Sequence, residues 1–349
     1  MFAAAGAVLM GCGREEKKAG QTAAAVAQGS CWRLYASDEV SNDITVIDEP
    51  SHKIAAVISP GKRPRGAVLS PDGALLYVTL SGWPIAGPGV DEDKLPPPDK
   101  AADGVGVIDT ATLKLLRVIH GVANPEQIAI SPDGKMLYLP NEDAGTVQIV
   151  GTDGTLHGSA PVGAEPEGVA VSPDGKLVYV SAEGGGAVAA IDTATNKLIK
   201  SISVGDRPRS IAFSHDGKHA YVAVEQSAQL VVIDTATNSV TAKVAIPGKD
   251  SKPMGVAVTP DDKTVFASSG RGGLLAQIGA TGDLQKTIEV GPRPWGIDTD
   301  PAGNFVYTAN GQSNDISVVD AKTMAVVARI KSGGKPWGVK AGPSGACKS

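Results

Sequence analysis

Aromatic residues make up only 4% of this chain, with three cysteines and five histidines. So few aromatic rings mean that the core must pack through Val, Ile, Ala and Leu. Among the histidines and cysteines no set has metal-ligand spacing, there is no CxxC pair, and no phosphate-cradling glycine loop occurs. No metal and no cofactor are therefore expected. The net charge is −5, with the two signs interspersed, so there is no footprint for nucleic acid or for a membrane surface. After residue 30 there is neither a long apolar run nor helical periodicity, which leaves strands and turns.

What the chain has in abundance is one turn. VSPDGKLVYV at Val171–Val180 recurs as SPDGALLYV from Ser70, SPDGKMLYL from Ser131, SHDGKHAYV from Ser214 and TPDDKTVFA from Thr259. Pro presets φ, Asp tolerates the bridge or left-handed region, and Gly accepts positive φ; alternating apolar residues flank each copy, which is a hairpin signal. The aromatic after each turn gives a ruler: Tyr35, Tyr77, Tyr138, Tyr179, Tyr221, Phe266 and Tyr307 are spaced by 42, 61, 41, 42, 45 and 41 residues. A period of this size with four short strands per unit predicts an all-β, seven-bladed β-propeller with four antiparallel strands per blade. The single long interval is due to one insertion, Gly82–Asp103.

Ring closure is also readable. Inner strands open after a proline at Arg65, Glu126, Glu167, Arg209, Met254, Trp295 and Trp337, and the last has no partners after it. RLYAS, DITVIDE and KIAAVIS at the start have no inner strand before them. The C-terminal strand is therefore expected to complete a seventh blade with three N-terminal strands. The same alignment brings Cys31 and Cys347 together. A disulfide there would close a loop worth roughly 5 kcal/mol in the chain-entropy model, the alternative being two free thiols.

The start of the chain, MFAAAGAVLMGC, ends in Leu9-Met10-Gly11-Cys12 and resembles a bacterial lipobox, in which the Cys is lipidated, although no Lys or Arg precedes the apolar run. Residues 1–12 thus read as signal and lipobox, 13–30 as a polar tether, and 31–349 as one propeller domain. One lipidated Cys plus one disulfide would place the ring in an oxidising compartment, the periplasm-facing envelope. The alternatives are a secreted or surface location, or a cytoplasmic protein with a ragged N-terminus.

The loop entering each inner strand and the loop leaving the second share a face, opposite the SPDG turns, and the insertion lies on that face too. Before the entry prolines stand Arg63, Asn124, Glu165, Arg207, Lys252, Arg293 and Lys335; after them stand Arg65, Glu126, Glu167, Arg209, Met254, Trp295 and Trp337. Arg65–Glu126 and Glu167–Arg209 are expected to pair, with Glu142, Glu183 and Glu225 adjacent. Two readings remain open: charges that stitch blades together beneath a tryptophan cap, or a polar and aromatic pocket for a small ligand or a partner's loop. Asp91, Glu92 and Asp93 suit a flexible acidic loop better than a cation site. Of the histidines, His52, His157, His215 and His219 fall on turns of the far side or on outer connections, and only His120 nears the functional face. Nucleophilic catalysis lacks a base in reach of Ser or Cys. Glu126 and Glu167 remain as acid–base candidates, each beside an arginine that would keep it ionised.

LYVT, VYVSAE, VIDTAT, ISVGDRP and SPDGK together resemble the YVTN-type seven-bladed β-propellers over nearly everything after residue 33. GKRPRG, NPEQIAISPDGKMLYLPNED, GAEPEG, DRPR and NGQSNDISVVD followed by GGKPWGV further resemble the propellers that accompany PQQ-dependent alcohol oxidation. GTDGTLHG and GATGDL depart from the VIDTAT pattern. The resemblance implies a periplasmic, non-catalytic accessory role near a quinoprotein dehydrogenase. With the residue reading, the expectation is a monomer that docks a protein or small ligand, such as that dehydrogenase or a cytochrome, on the insertion-bearing face. The alternatives are a lactonase-like propeller hydrolase or lyase using Glu126, Glu167 or His120, and a structural cell-surface repeat protein.

Overall fold

The SPDG turn is held by a side-chain clasp that recurs with the same geometry. The hydroxyls of Ser70, Ser131, Ser172, Ser214 and Thr259 accept the backbone N–H five residues on, at 2.9–3.1 Å. Each also donates to the Asp two residues on, at 2.6–2.8 Å. The glycines of the first four turns have φ between 70° and 73°, a conformation that glycine adopts without steric cost. In TPDD, Asp262 takes it instead, with φ 56°.

These turns join the strands of a seven-bladed β-propeller. A computed structural model describes residues 1–2, 32–85 and 94–343. Cys12, Cys31 and Cys347, and with them the expected lipidation and disulfide, lie outside the described residues, as do Asp91, Glu92 and Asp93. Seven four-stranded antiparallel sheets make up the described chain, and the only helical segment among the described residues is one 3-10 turn, Lys100–Ala102. We number the blades by their entry prolines: Pro64, Pro125, Pro166, Pro208, Pro253, Pro294 and Pro336 for blades 1 to 7. Blade 7 is built as expected: Pro336–Pro343 pairs with Trp32–Asp38, with Arg33 opposite Gly342 and Ala36 opposite Val339. Asp38 strengthens the seam by accepting hydroxyl bonds from Ser332 and Thr45, both at 2.6 Å.

Hydrophobic burial lies between blades. Each of seven apolar clusters joins one blade to the next, two of them across the closing blade. The ruler aromatics sit in these clusters; five of them, Tyr35, Tyr179, Tyr221, Phe266 and Tyr307, are wholly enclosed. Tyr221 also reaches the neighbouring blade with its hydroxyl, donating to the Ala280 carbonyl at 3.1 Å.

The inner strands differ from the sequence expectation in one respect. Those of blades 1 and 2 are short, Ala67–Leu69 and Ala129–Ile130, and begin after the residues expected to open them. In blades 3 to 6 the register shifts just after the entry proline, as between Pro166 and Val169. A proline cannot donate to the ladder, and the irregularity that follows turns the next side chain away from regular strand geometry.

Candidate functional site

On the insertion-bearing face, six of the seven residues preceding an entry proline hold a left-handed backbone. Their φ values are Arg63 47°, Asn124 39°, Glu165 53°, Arg207 62°, Arg293 58° and Lys335 61°. Such a conformation costs a side-chain-bearing residue about 1–3 kcal/mol, and proline as the next residue disfavours it further. The loops compensate with specific bonds. Arg63 N–H donates to Asn42 at 2.8 Å, Asn124 N–H to Asp103 at 3.0 Å, and Lys335 N–H to Asn314 at 2.8 Å. The carbonyls of Lys335, Glu165 and Arg207 accept from the N–H groups of Glu39, Glu183 and Glu225. This last set ties the strained residues to a second ring of acids.

The two rings interlock as salt bridges. Arg65 pairs with Glu126, as expected, and also meets Glu39 at 3.5 Å, while Arg63 donates to Glu39 at 2.8 Å. Arg209 pairs with Glu167 and with Glu183, and reaches Glu225 at 2.8 Å. Arg207 donates to Glu183 at 2.6 Å. Glu165 lines the same space, exposed and with no such partner. Asn124 is buried; it accepts from Ser81 at 3.0 Å and donates to Glu142 at 3.3 Å. Glu39 was missed in the sequence, although its signal is there: it stands four residues beyond Tyr35, the register of Glu142, Glu183 and Glu225 beyond their own aromatics.

These side chains surround a cavity of about 570 Å3. Its outer wall is apolar and comes from the insertion: Trp83, Pro84, Leu95 and Pro96–Pro98. The base of the insertion is pinned where Gly82 N–H donates to Asp103 at 2.8 Å and Asp99 N–H to the Gly82 carbonyl at 3.0 Å. Arg63 Nη1 caps the Trp83 carbonyl at 3.3 Å, and Lys62 pairs with Asp99. Glu142 is exposed and lines the cavity at the mouth. Desolvation by the surrounding protein, with Glu126 close by, pushes its carboxyl up to about 7. Glu183 is also raised, by burial above all, against the pull of Arg207.

Met254, Trp295 and Trp337 form the other half of the mouth. The two indoles meet edge to face at 5.6 Å, and Arg293 lies over Trp295 at 4.5 Å. Lys335 joins them around a depression of about 10 Å3. Glu167, Met254, Trp295 and Trp337 also line a second cavity of about 300 Å3 between the inner strands, where Phe213, His215 and Lys340 are found. His215 belongs to the opposite face and is bound to Asp262 at 2.9 Å. His120 is exposed at the end of an outer strand and does not line the large cavity. The structure thus brings together Arg63, Arg65, Glu126, Glu165, Glu167, Arg207 and Arg209, and separately Met254, Arg293, Trp295, Lys335 and Trp337. Among the described residues no group of acids, histidines and cysteines is arranged to hold a metal.

The seven-bladed propeller has counterparts among known proteins. The family described as "Lactonase, 7-bladed beta-propeller" matches residues 103–204 and 200–332, and the chain belongs to that family. The matched span holds Glu126, Glu142, Glu183 and Arg209, whereas Glu39, Arg63 and Arg65 lie outside it. No curated protein matches the chain. Among solved structures it is similar to a periplasmic gluconolactonase of Pseudomonas aeruginosa (19% identity, 89% of this chain and 99% of the other, TM-score 0.69). It is also similar to a "putative 6-phosphogluconolactonase" of Bacteroides uniformis (17%, 90% and 100%, TM-score 0.73). The hydrazine synthase of Kuenenia stuttgartiensis shares the fold as well (21%, 82% and 92%, TM-score 0.70).

Proposed function

We propose that this protein hydrolyses a lactone in the cavity beneath the insertion. The observation that carries the reading is Glu142: a carboxyl raised to about 7 against the pull of Arg65, open to the cavity and bonded to Asn124. A general base works best when its pKa lies near the operating pH. Glu142 takes a proton from water as its oxygen attacks the lactone carbonyl carbon. The ring C–O bond then breaks, and the proton passes from Glu142 to the departing alkoxide. Arg65 and Arg209, fixed by their glutamates, place positive charge beside the cavity where the carbonyl oxygen becomes negative. Membership of the lactonase family supports this reading over the non-catalytic scaffold expected from the motif resemblance, and over docking of a quinoprotein dehydrogenase.

The test is proton release from a panel of five- and six-membered lactones, followed in weak buffer. Wild type should accelerate ring opening, and Glu142→Gln should lower kcat by about 100- to 10,000-fold, the usual weight of a general base. Equal rates for the two proteins would remove Glu142 from the reaction. We further propose, from the sequence, that the ring is exported and held in the envelope through lipidated Cys12, with Cys31 and Cys347 disulfide-bonded. Mass spectrometry of the mature chain under non-reducing conditions should find no free thiol, and free thiols at all three would contradict it.

A further inference from the structure

We infer that the lactone this cavity accepts is uncharged, without a phosphate or carboxylate on its ring or tail; this rests on the hydrolase reading above. A site built for an anionic substituent keeps at least one cation unneutralised and aimed at it, since an arginine–phosphate pair gains from a bidentate bond that a resident carboxylate would occupy. All four guanidiniums lining the cavity are already committed. Arg63 and Arg65 are bound to Glu39, with Glu126 as a second acid on Arg65, and Arg207 and Arg209 share Glu167, Glu183 and Glu225. Beyond these pairs the lining holds three further acids, Glu142, Asp143 and Glu165, none of them in a salt bridge among the described residues. Arg65 acts on Glu142 and Arg207 on Glu165 from farther away. An incoming dianion would meet guanidiniums whose charge the paired glutamates already offset, and would also face those three acids.

Among the described residues, two cations of this face without a salt bridge, Arg293 and Lys335, lie outside the large cavity. Arg293 rests on the Trp295 ring and Lys335 stands beside it, around the separate depression of about 10 Å3. That volume holds about one water molecule and no phosphate group. The remaining wall of the large cavity, Trp83 and Pro96–Pro98, offers apolar faces, which suit the C–H surface of a neutral ring. The same charge excess fits the product side: ring opening turns a neutral lactone into a hydroxy acid, whose new carboxylate the acidic lining repels.

The experiment compares kcat/KM for glucono-1,5-lactone and for its 6-phosphate, with wild type and with Glu165→Arg. Glu165 is exposed at the cavity edge, so its replacement leaves the folded ring intact, which thermal unfolding verifies. Wild type should prefer the neutral lactone by roughly tenfold or more, and Glu165→Arg should narrow that ratio by roughly tenfold, as a change of two unit charges near the substituent implies. Equal or higher kcat/KM for the phosphate in wild type overturns the inference while leaving lactone hydrolysis standing. Hydrolysis of neither lactone, nor of any in the wider panel, overturns both.

Discussion

Asn124 is the residue whose amide holds the Glu142 carboxylate. Its amide donates to the Glu142 carboxylate, and a hydrogen bond to the charged form of an acid lowers its pKa. Removing that donor in Asn124→Ala should move the midpoint of the kcat/KM–pH profile upward and lower the rate near neutrality several-fold. A fall in rate with an unmoved midpoint would instead mean simple misplacement. Desolvation of the Glu142 carboxyl also bears on stability. Between its ordinary pKa of 4.5 and its folded value of about 7, the unfolded chain has lost a proton that the folded one retains. This group therefore subtracts stability as pH rises through that window and adds no further change above it. Glu142→Gln should flatten that part of the stability profile, as measured by denaturant unfolding between pH 4.5 and 8. At this scale the sequence was readable in part. The pairs Arg65–Glu126 and Arg209–Glu167 follow from adjacency in the ring, because neighbouring blades bring equivalent positions together. The state of Glu142 was not readable, since it depends on packing density and on how close Glu126 of the same blade comes.

Two glycines show what the elements require. Gly168 follows Glu167 on the inner strand of blade 3, where an added Cβ would stand 2.1 Å from the carbonyl oxygen of Arg209 in blade 4. The Ser181 hydroxyl bridges the same two strands, donating to Arg209 O at 2.6 Å while accepting Gly168 N–H at 2.7 Å. Gly168→Ala should force these blades apart, at a cost of about 1–3 kcal/mol in unfolding free energy, as overpacking does elsewhere, and should lower activity by shifting Arg209. Gly82 is different: a Cβ there would stand 1.8 Å from the Asp99 carbonyl oxygen, at the base of the insertion. Gly82→Ala should raise KM, because the Trp83–Pro98 wall moves, with little change in melting temperature, because no blade depends on it. Strand number and blade period were legible from the SPDG turns and ruler aromatics. The short inner strands of blades 1 and 2 were not, because alternation of apolar residues does not reveal where ladder pairing begins after a proline.

For the whole molecule, closure carries the stability. Each blade buries its apolar faces only against its neighbours, so the ring is cooperative only when Pro336–Pro343 completes blade 7. Ending the chain at Gly334 should expose the edge of Trp32–Asp38 and the cluster behind it, giving a broadened unfolding transition and association between copies. A sharp, unshifted transition would contradict this. The closed ring also explains why residue variation is concentrated on one face. The SPDG side repeats one hydrogen-bonded clasp in five blades, whereas the opposite mouth varies from Arg and Glu in blades 1 to 4 to Met and Trp in blades 5 to 7. Only the mouth therefore has the asymmetry a substrate needs. The central claim, that Glu142 is the base of a lactone hydrolase, is tested most directly by the pH dependence of kcat/KM for one hydrolysed lactone in wild type and Glu142→Gln. The account predicts a wild-type rate that rises with pH and levels above about 7, and a variant that is slow and lacks that limb. A variant that retains both the rate and the limb would contradict it.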